Sequence, residues 1–253
     1  MRYKIAPMKE MSLTEHLEEL RTCFIRVSII LFVSFFIAYG FGEHISNFLL
    51  RPLRDSLKTL GPGQGIVYLG LLDKVLSQLQ VAFWTSIILS SPFWFYQIWS
   101  FLKPGLYERE VKAIKPFLLV GFILFWLGIG FGYYIIFPFT FETLLNFGVQ
   151  DVSATISLKD YLILASKVLV FLGIIFQLPN LLLILGFMGL VTKYSLRKWR
   201  RYVYLGFALS SAFITPPDII TMLGVWIPLV VLYELGIYAV AVIVHPFLAK
   251  QYT

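Results

Sequence analysis

The chain has 253 residues, of which 58% are hydrophobic and 14% charged, with a mean hydropathy of +0.81 and a formal net charge of +7. Roughly a quarter of a typical soluble domain is charged, so this composition excludes a soluble fold, and it excludes disorder, which needs few apolar residues. At about 20 apolar residues per crossing plus its loop, the length allows about six membrane spans and no sizeable domain outside the bilayer.

The basic residues are divided among short loops between apolar runs, a pattern that encodes membrane topology rather than nucleic-acid binding. The lone cysteine, Cys23, excludes an intrachain disulfide. His16, His44 and His245 are far apart and form no metal-ligand set, so a metal is not expected. The N-terminal stretch to Arg21 is polar, which is not the pattern of a cleavable signal.

In chain order, Ser12-Leu-Thr-Glu15 reads as a capping box that starts a helix near Leu13. Leu13, Leu17, Leu20 and Phe24 then form one apolar stripe leading into the first span, with Glu15, Glu18 and Glu19 on the other face. Apolar runs predict spans at 24–42, 79–102, 117–139, 161–190, 202–215 and 219–240, in a single membrane domain covering 1–253. Between the first two, Leu71 to Leu79 alternates at helical spacing and is expected to lie on an interface or cap a cavity. The fifth run, at about 1.5 Å per residue, falls short of the hydrocarbon core, and the sixth meets an acid at Glu234. Pro52, Pro92 and Pro138 are expected to shape bends, and Pro104 marks a turn after the second span. Gly128-x-x-x-Gly132 permits close helix contact. No internal repeat is visible.

Counting Lys and Arg in alternate loops gives fifteen on the side of the N-terminus and five on the other, with Lys167 inside the fourth span. The positive-inside rule then puts both termini in the cytoplasm. The chain shows no phosphate-binding loop, nucleophile elbow or Ser/His/Asp set, so an enzyme is not expected.

Two carboxylates lack a cation at helical spacing. Glu18 has Arg21 three residues on and is expected to pair with it; Glu19 has only Thr22 and Cys23 ahead, and Glu15 and His16 behind. In the loop after the second span Glu108 has Lys112, whereas Glu110 has only Ala113 and Ile114 ahead, and Leu106 and Tyr107 behind. Each is either a solvated acid or an acceptor kept for an external cation. A pair of arginines fits two such acceptors, because the planar guanidinium matches a carboxylate.

On these residues the chain resembles the TatC family, the polytopic subunit of the twin-arginine protein translocase. The resemblance rests on Leu13-Thr-Glu-His-Leu-Glu-Glu-Leu-Arg21, Ser91-Pro-Phe-Trp-Phe-Tyr-Gln-Ile-Trp99, Phe101-Leu-Lys-Pro-Gly-Leu-Tyr-Glu-Arg-Glu110, Phe137-Pro138, Thr215-Pro-Pro-Asp218 and Leu232-Tyr-Glu-Leu235. It implies an all-α bundle of six spans, two of them short, with a concave face, in the cytoplasmic (inner) membrane. It implies a core subunit and receptor for paired-arginine signal peptides on folded cargo, driven by the proton-motive force and without a cofactor. The expected partners are single-span TatA-like and TatB-like proteins and further copies of the chain. Glu19 and Glu110 match the family's arginine acceptors, with Phe101 and Arg21 beside them. The chain departs from the family pattern at Gln177, where a glutamate is frequent, at Met222, and at Cys23, where arginine is common.

Gln177 reads either as a donor to a carbonyl freed by Pro179 or as a polar contact for a partner helix. Asp218 reads as the N-cap of the sixth helix, to which the resemblance adds a role in assembly. Glu234 is expected near the cytoplasmic interface rather than at mid-membrane. The rival function is a secondary transporter with Gln177, Lys167 and Glu234 lining a solute path, against which stand the missing repeat and the unpaired acids outside the membrane.

Overall fold

A computed structural model describes residues 13–58, 65–103, 108–145, 155–214 and 219–244. Pro104 and Asp218 lie outside the described residues. The helices are α1 (Leu13–Gly40), α2 (Gly42–Lys58), α3 (Asp73–Leu89), α4 (Ser91–Leu102), α5 (Glu108–Phe131), α6 (Phe137–Leu145), α7 (Leu158–Ile175), α8 (Leu178–Phe187), α9 (Lys193–Ile214) and α10 (Ile219–Ala239). Two short strands, β1 (Gly65–Val67) and β2 (Thr155–Ser157), precede α3 and α7. A π turn, Gly132–Ile136, joins α5 to α6, and another, Val240–Val244, extends α10. The architecture is thus all-helical apart from this strand pair.

Four helical runs are long and apolar enough to cross a membrane: Leu17–Gly40, Lys115–Leu144, Leu158–Phe187 and Ile219–Val244. The second and fifth expected spans fall on α3–α4, bent at Ser90, and on α9. The latter begins at Lys193, nine residues before the expected start, because its first turns are basic yet helical. The Leu71–Leu79 segment is not a separate surface helix. From Asp73 it runs straight into the second span, and Leu71 and Leu72 stand exposed just before it.

The backbone is accommodated differently at Pro52, Pro92 and Pro138. Pro52 sits inside α2 and has no N–H for the Phe48 carbonyl. Tyr133 donates to that carbonyl at 2.8 Å, and Tyr161 donates to the neighbouring Leu49 carbonyl at 2.6 Å, tying α2 to the π turn and to α7. Pro92 falls in the first turn of α4, and the indole of Trp94 donates across the break to the Ile87 carbonyl at 2.9 Å. Ahead of Pro138 the backbone loosens into the π turn, where the Phe137 N–H reaches back five residues to Gly132.

Packing is close where α5 and α7 bring glycines together. A Cβ at Gly128 would meet the Leu172 carbonyl at 2.7 Å, one at Gly132 the Leu172 side chain at 2.8 Å, and one at Gly173 the Phe125 ring at 2.7 Å. The Gly128-x-x-x-Gly132 pair therefore seats α5 directly on α7, as small residues do between membrane helices. Around this seam Leu49, Leu53, Val81, Phe137, Tyr161, Leu169, Leu172 and Leu229 form one buried core. A second core, Leu183, Phe187, Leu196, Tyr233, Ile237 and Val240, joins α8, α9 and α10. Gly189, at φ 72°, ends α8 in the left-handed region and lets the chain turn into α9.

The two ends of the bundle differ. At one end β1 and β2 pair in parallel, Ile66 opposite Ile156. Beside them Lys159 donates to Asp73 at 2.8 Å, and the Gly70 N–H donates to the other carboxylate oxygen at 2.7 Å. The Lys159 bond, with the Gly70 N–H second, holds the Asp73 carboxyl below its ordinary value, and the same bond raises the Lys159 ammonium above its own. This is the strand end. The opposite, basic end carries the start of α1, the close of α4 and the α8–α9 turn. There Arg197, Lys198, Arg201, Tyr194, Trp199 and Tyr202 stand exposed on α9, the mixture expected at a membrane interface.

Candidate functional site

The site is built from α1 upward. In α1 the apolar stripe of Leu17, Leu20 and Phe24 is exposed. The inward face is instead Glu19, Cys23, Val27, Ile30, Ser34 and Ala38, recurring at steps of three and four and ranging from half-buried to buried. The reason is the solvent. In a bilayer large apolar side chains face lipid, and small or polar ones allow helices to approach. Glu19 therefore continues the packed face, while Glu15 and Glu18 are exposed.

This face meets α3 and α4. The Cys23 thiol donates to the Gln97 carbonyl of α4 at 3.5 Å. The two helices run in opposite directions along the bundle. Glu19 lies one turn before Cys23, and Phe101 lies one turn after Gln97, so Glu19 and Phe101 share a level at the basic end. Phe101 is half-buried there. The Glu19 Oε2 atom is buried and has no hydrogen-bond partner. A buried carboxylate oxygen without a donor is costly, and it is an open acceptor for a donor brought from outside.

Arg21 is exposed, and no ion pair joins it to Glu18; the ion pairs among the described residues are Lys58–Asp55, Lys159–Asp73 and Arg200–Glu234. The Glu18 backbone carbonyl instead accepts from Thr22 at 2.9 Å. The expected Glu18–Arg21 pair is thus absent, leaving the guanidinium at the mouth of the same end. Glu110 lies in the first turn of α5, which packs against α4. Its side chain, with those of Glu108 and Lys112, lies outside the described residues.

The other expected polar residues do not converge on this site or on one another. Glu234 is held by Arg200 and by the Tyr204 hydroxyl, both on α9, with the Trp226 indole bonded to the Tyr204 carbonyl. Gln177 does not serve a carbonyl freed by Pro179. Its Nε2 donates to the Gly121 carbonyl on α5 at 2.9 Å. Beside it Asn180, absent from the sequence reading, is buried; Gln177 Oε1 and Asn180 Oδ1 are both buried acceptors without a partner. A Cβ at Gly121 would strike Asn180 at 2.5 Å and Gln177 at 3.0 Å, so this glycine makes room for both amides. Lys167 is exposed on α7. Three residues engaged on α5, on α9 and on an outer face do not line one solute path.

The fold and site define a polytopic helical membrane protein with an open acidic acceptor where two helix ends meet. The family model described as Sec-independent protein translocase protein (TatC) matches residues 15–228. The Sec-independent protein translocase protein TatC of Desulforapulum autotrophicum is 40% identical over 224 residues, 88% of this chain and 82% of that protein. TatCy of Bacillus subtilis is 35% identical over 233 residues, 91% of this chain and 89% of its own. A crystal structure of the twin-arginine translocase receptor TatC superposes with a TM-score of 0.80 at 30% identity, covering 90% of this chain and 98% of that one. The chain belongs to the TatC family, a family of protein-translocase components rather than enzymes.

Proposed function

We propose that the chain is the signal-peptide receptor and core subunit of a twin-arginine translocase, and that Glu19 and Glu110 each take one arginine of the peptide. The observation that carries this reading is the Glu19 carboxylate, half-buried on the packed face of α1 at the level of Phe101, with Oε2 buried and unpartnered. A guanidinium fork supplies two parallel donors to such a group, and Phe101 offers an apolar wall for the arginine stem. Arg21 stands exposed two residues on, at the same end of the bundle.

The charge asymmetry of fifteen basic residues against five supports a single six-span domain in the inner membrane with the basic end and both termini in the cytoplasm, where cargo is made. Gln177 and Asn180, with two open amide oxygens, are the polar contact offered to a single-span TatA-like or TatB-like helix. Asp218 is assigned, by the family resemblance, to assembly with further copies.

Site-specific photo-crosslinking tests the reading. A twin-arginine peptide should crosslink to probes at Thr22 and Lys103, which flank the Glu19–Phe101 level, and not to probes at Asp55 or Asp160 at the strand end. Equal crosslinking at both ends would remove the receptor assignment.

A further inference from the structure

Lys167 belongs to no element of the function above. It lies inside the apolar run Leu158–Phe187 and is exposed on an outer stripe of α7 with Leu164, Phe171 and Ile174, at steps of three and four. A cation in a span normally faces the bundle interior or a paired acid, because hydrocarbon cannot solvate it. Lys167 has no ion pair among the described residues. The acids nearest in the fold are accounted for or too far. Asp73 of α3 is taken by Lys159, Asp55 of α2 by Lys58, and Asp160 is about two turns back along α7. Glu43 on α2 and Glu142 on α6 are exposed at the strand end.

The direction of the side chain is informative. Its ammonium lies 5.8 Å from the centre of the Phe171 ring, one turn farther from the strand end. That ring in turn touches Trp84 of α3, 6.3 Å away between centres. Lysines near a membrane surface reach back to the headgroups. Lys167 lies about 12 Å along the helix from Lys159, and its amine is turned the other way, against an aromatic face. That placement favours a counter-charge within the hydrocarbon over a lipid phosphate.

We infer that Lys167 is an intramembrane docking point for a partner's transmembrane helix that carries one carboxylate about two turns in from its strand-end terminus. Leu164 and Ile174 flank the contact, and Phe171 with Trp84 forms its aromatic floor. The charge fixes the depth at which the helix seats, as buried ionic groups fix register elsewhere. The inference deepens the membrane-partner part of the reading above and rests on it. It is independent of the receptor carboxylates, which lie on other elements.

The test uses the full chain in nanodiscs of zwitterionic lipid and a labelled leucine–alanine helix with one glutamate at two turns, one at four turns, or none. The wild type should bind the two-turn helix about tenfold more tightly than the other two. Lys167→Arg should keep that preference, Lys167→Met should abolish it, and Lys167→Glu should transfer it to a lysine-bearing helix. Twin-arginine peptide affinity, measured in the same discs, should be equal in all variants, which shows that each is folded and separates this inference from the receptor reading. Absence of a depth preference in the wild type, or its persistence in Lys167→Met, would overturn the proposal. So would an effect of Lys167 confined to enrichment of phosphatidylglycerol in mixed-lipid discs, which would make the site a headgroup contact.

Discussion

The two ends of the bundle treat their acids in opposite ways. At the strand end Asp73 receives an ammonium and a backbone N–H, and the paired strands close over the same region. At the basic end Glu234 is likewise satisfied, by Arg200 and Tyr204, yet Glu19 keeps a buried oxygen with no donor. Acids that bind two segments together, Asp73 and Glu234, are satisfied within the chain, whereas a buried oxygen of Glu19 is left without a donor. On the reading proposed above, that oxygen is kept for a donor from outside, and a permanent intrachain partner would compete with the peptide.

The most severe way to break this comparison is to remove the scaffold both ends share. Gly128→Val places a side chain 2.7 Å from the Leu172 carbonyl and 3.0 Å from the Gly173 backbone, neither of which can yield cheaply. A loss of about 3 kcal/mol, at the upper end for overpacking, is expected. Both ends should fail together, read as a lower melting temperature with lost peptide binding.

A smaller change sharpens the comparison at one end. Glu234→Ala leaves Arg200, whose Nε is already buried without a partner, with no carboxylate, and it deprives Tyr204 of its acceptor. Since both ionic side chains are about one-third exposed, a cost of about 1 kcal/mol is expected. The melting temperature should fall by a few degrees while peptide affinity stays unchanged. That outcome would show that an acid at the same end can be purely structural.

The smallest effect should come from titrating the strand-end clasp. Asp73 has a lowered pKa, so its contribution is full above the ordinary aspartate value of 3.8 and is lost as pH falls through the depressed folded value. Lys159, raised, contributes below its ordinary value of 10.5 and loses its contribution only as pH rises through the raised one. Protection factors against hydrogen exchange in 65–73 and 155–159, corrected for the intrinsic pH dependence of exchange, should therefore fall only at strongly acid or strongly alkaline pH. In Asp73→Asn they should be low throughout. Peptide affinity at neutral pH should be the same in both.

Much of this was legible in the sequence, and the exceptions have a common cause. Glu19 could be picked out because its intrahelical neighbours are local, three and four residues away. The helix start near Leu13 and the Gly128–Gly132 contact were legible for the same reason, whereas α9 begins nine residues before its apolar run. What depended on distant segments was not. The β1–β2 pair joins three-residue stretches some ninety positions apart, and the Asp73–Lys159 bond spans 86. Of the two readings left open for Gln177, the one from local proline logic gave it a carbonyl on its own helix, whereas its donor crosses to Gly121, 56 residues earlier. Asn180 gave no signal, being an ordinary polar residue until the glycine opposite it is known. Which face of α1 packs was not read from its apolar stripe: in lipid the leucines face out, and Cys23, Ser34 and Ala38 pack inward.

The central claim is that Glu19 is an open acceptor for a peptide arginine, and affinity measures it directly. A labelled twin-arginine peptide should be titrated into the purified wild type, Glu19→Ala, Glu110→Ala and the double variant, with a twin-lysine peptide as control. A charge-assisted bond at a partly exposed site is worth about 1.5 kcal/mol, so each single variant should bind roughly tenfold more weakly and the double variant more weakly still. The lysine peptide should bind the wild type less well than the arginine peptide, because an ammonium cannot make the two-pronged contact. Equal affinity across the four folded proteins would contradict the account and leave Glu19 a structural carboxylate with an unfilled bond.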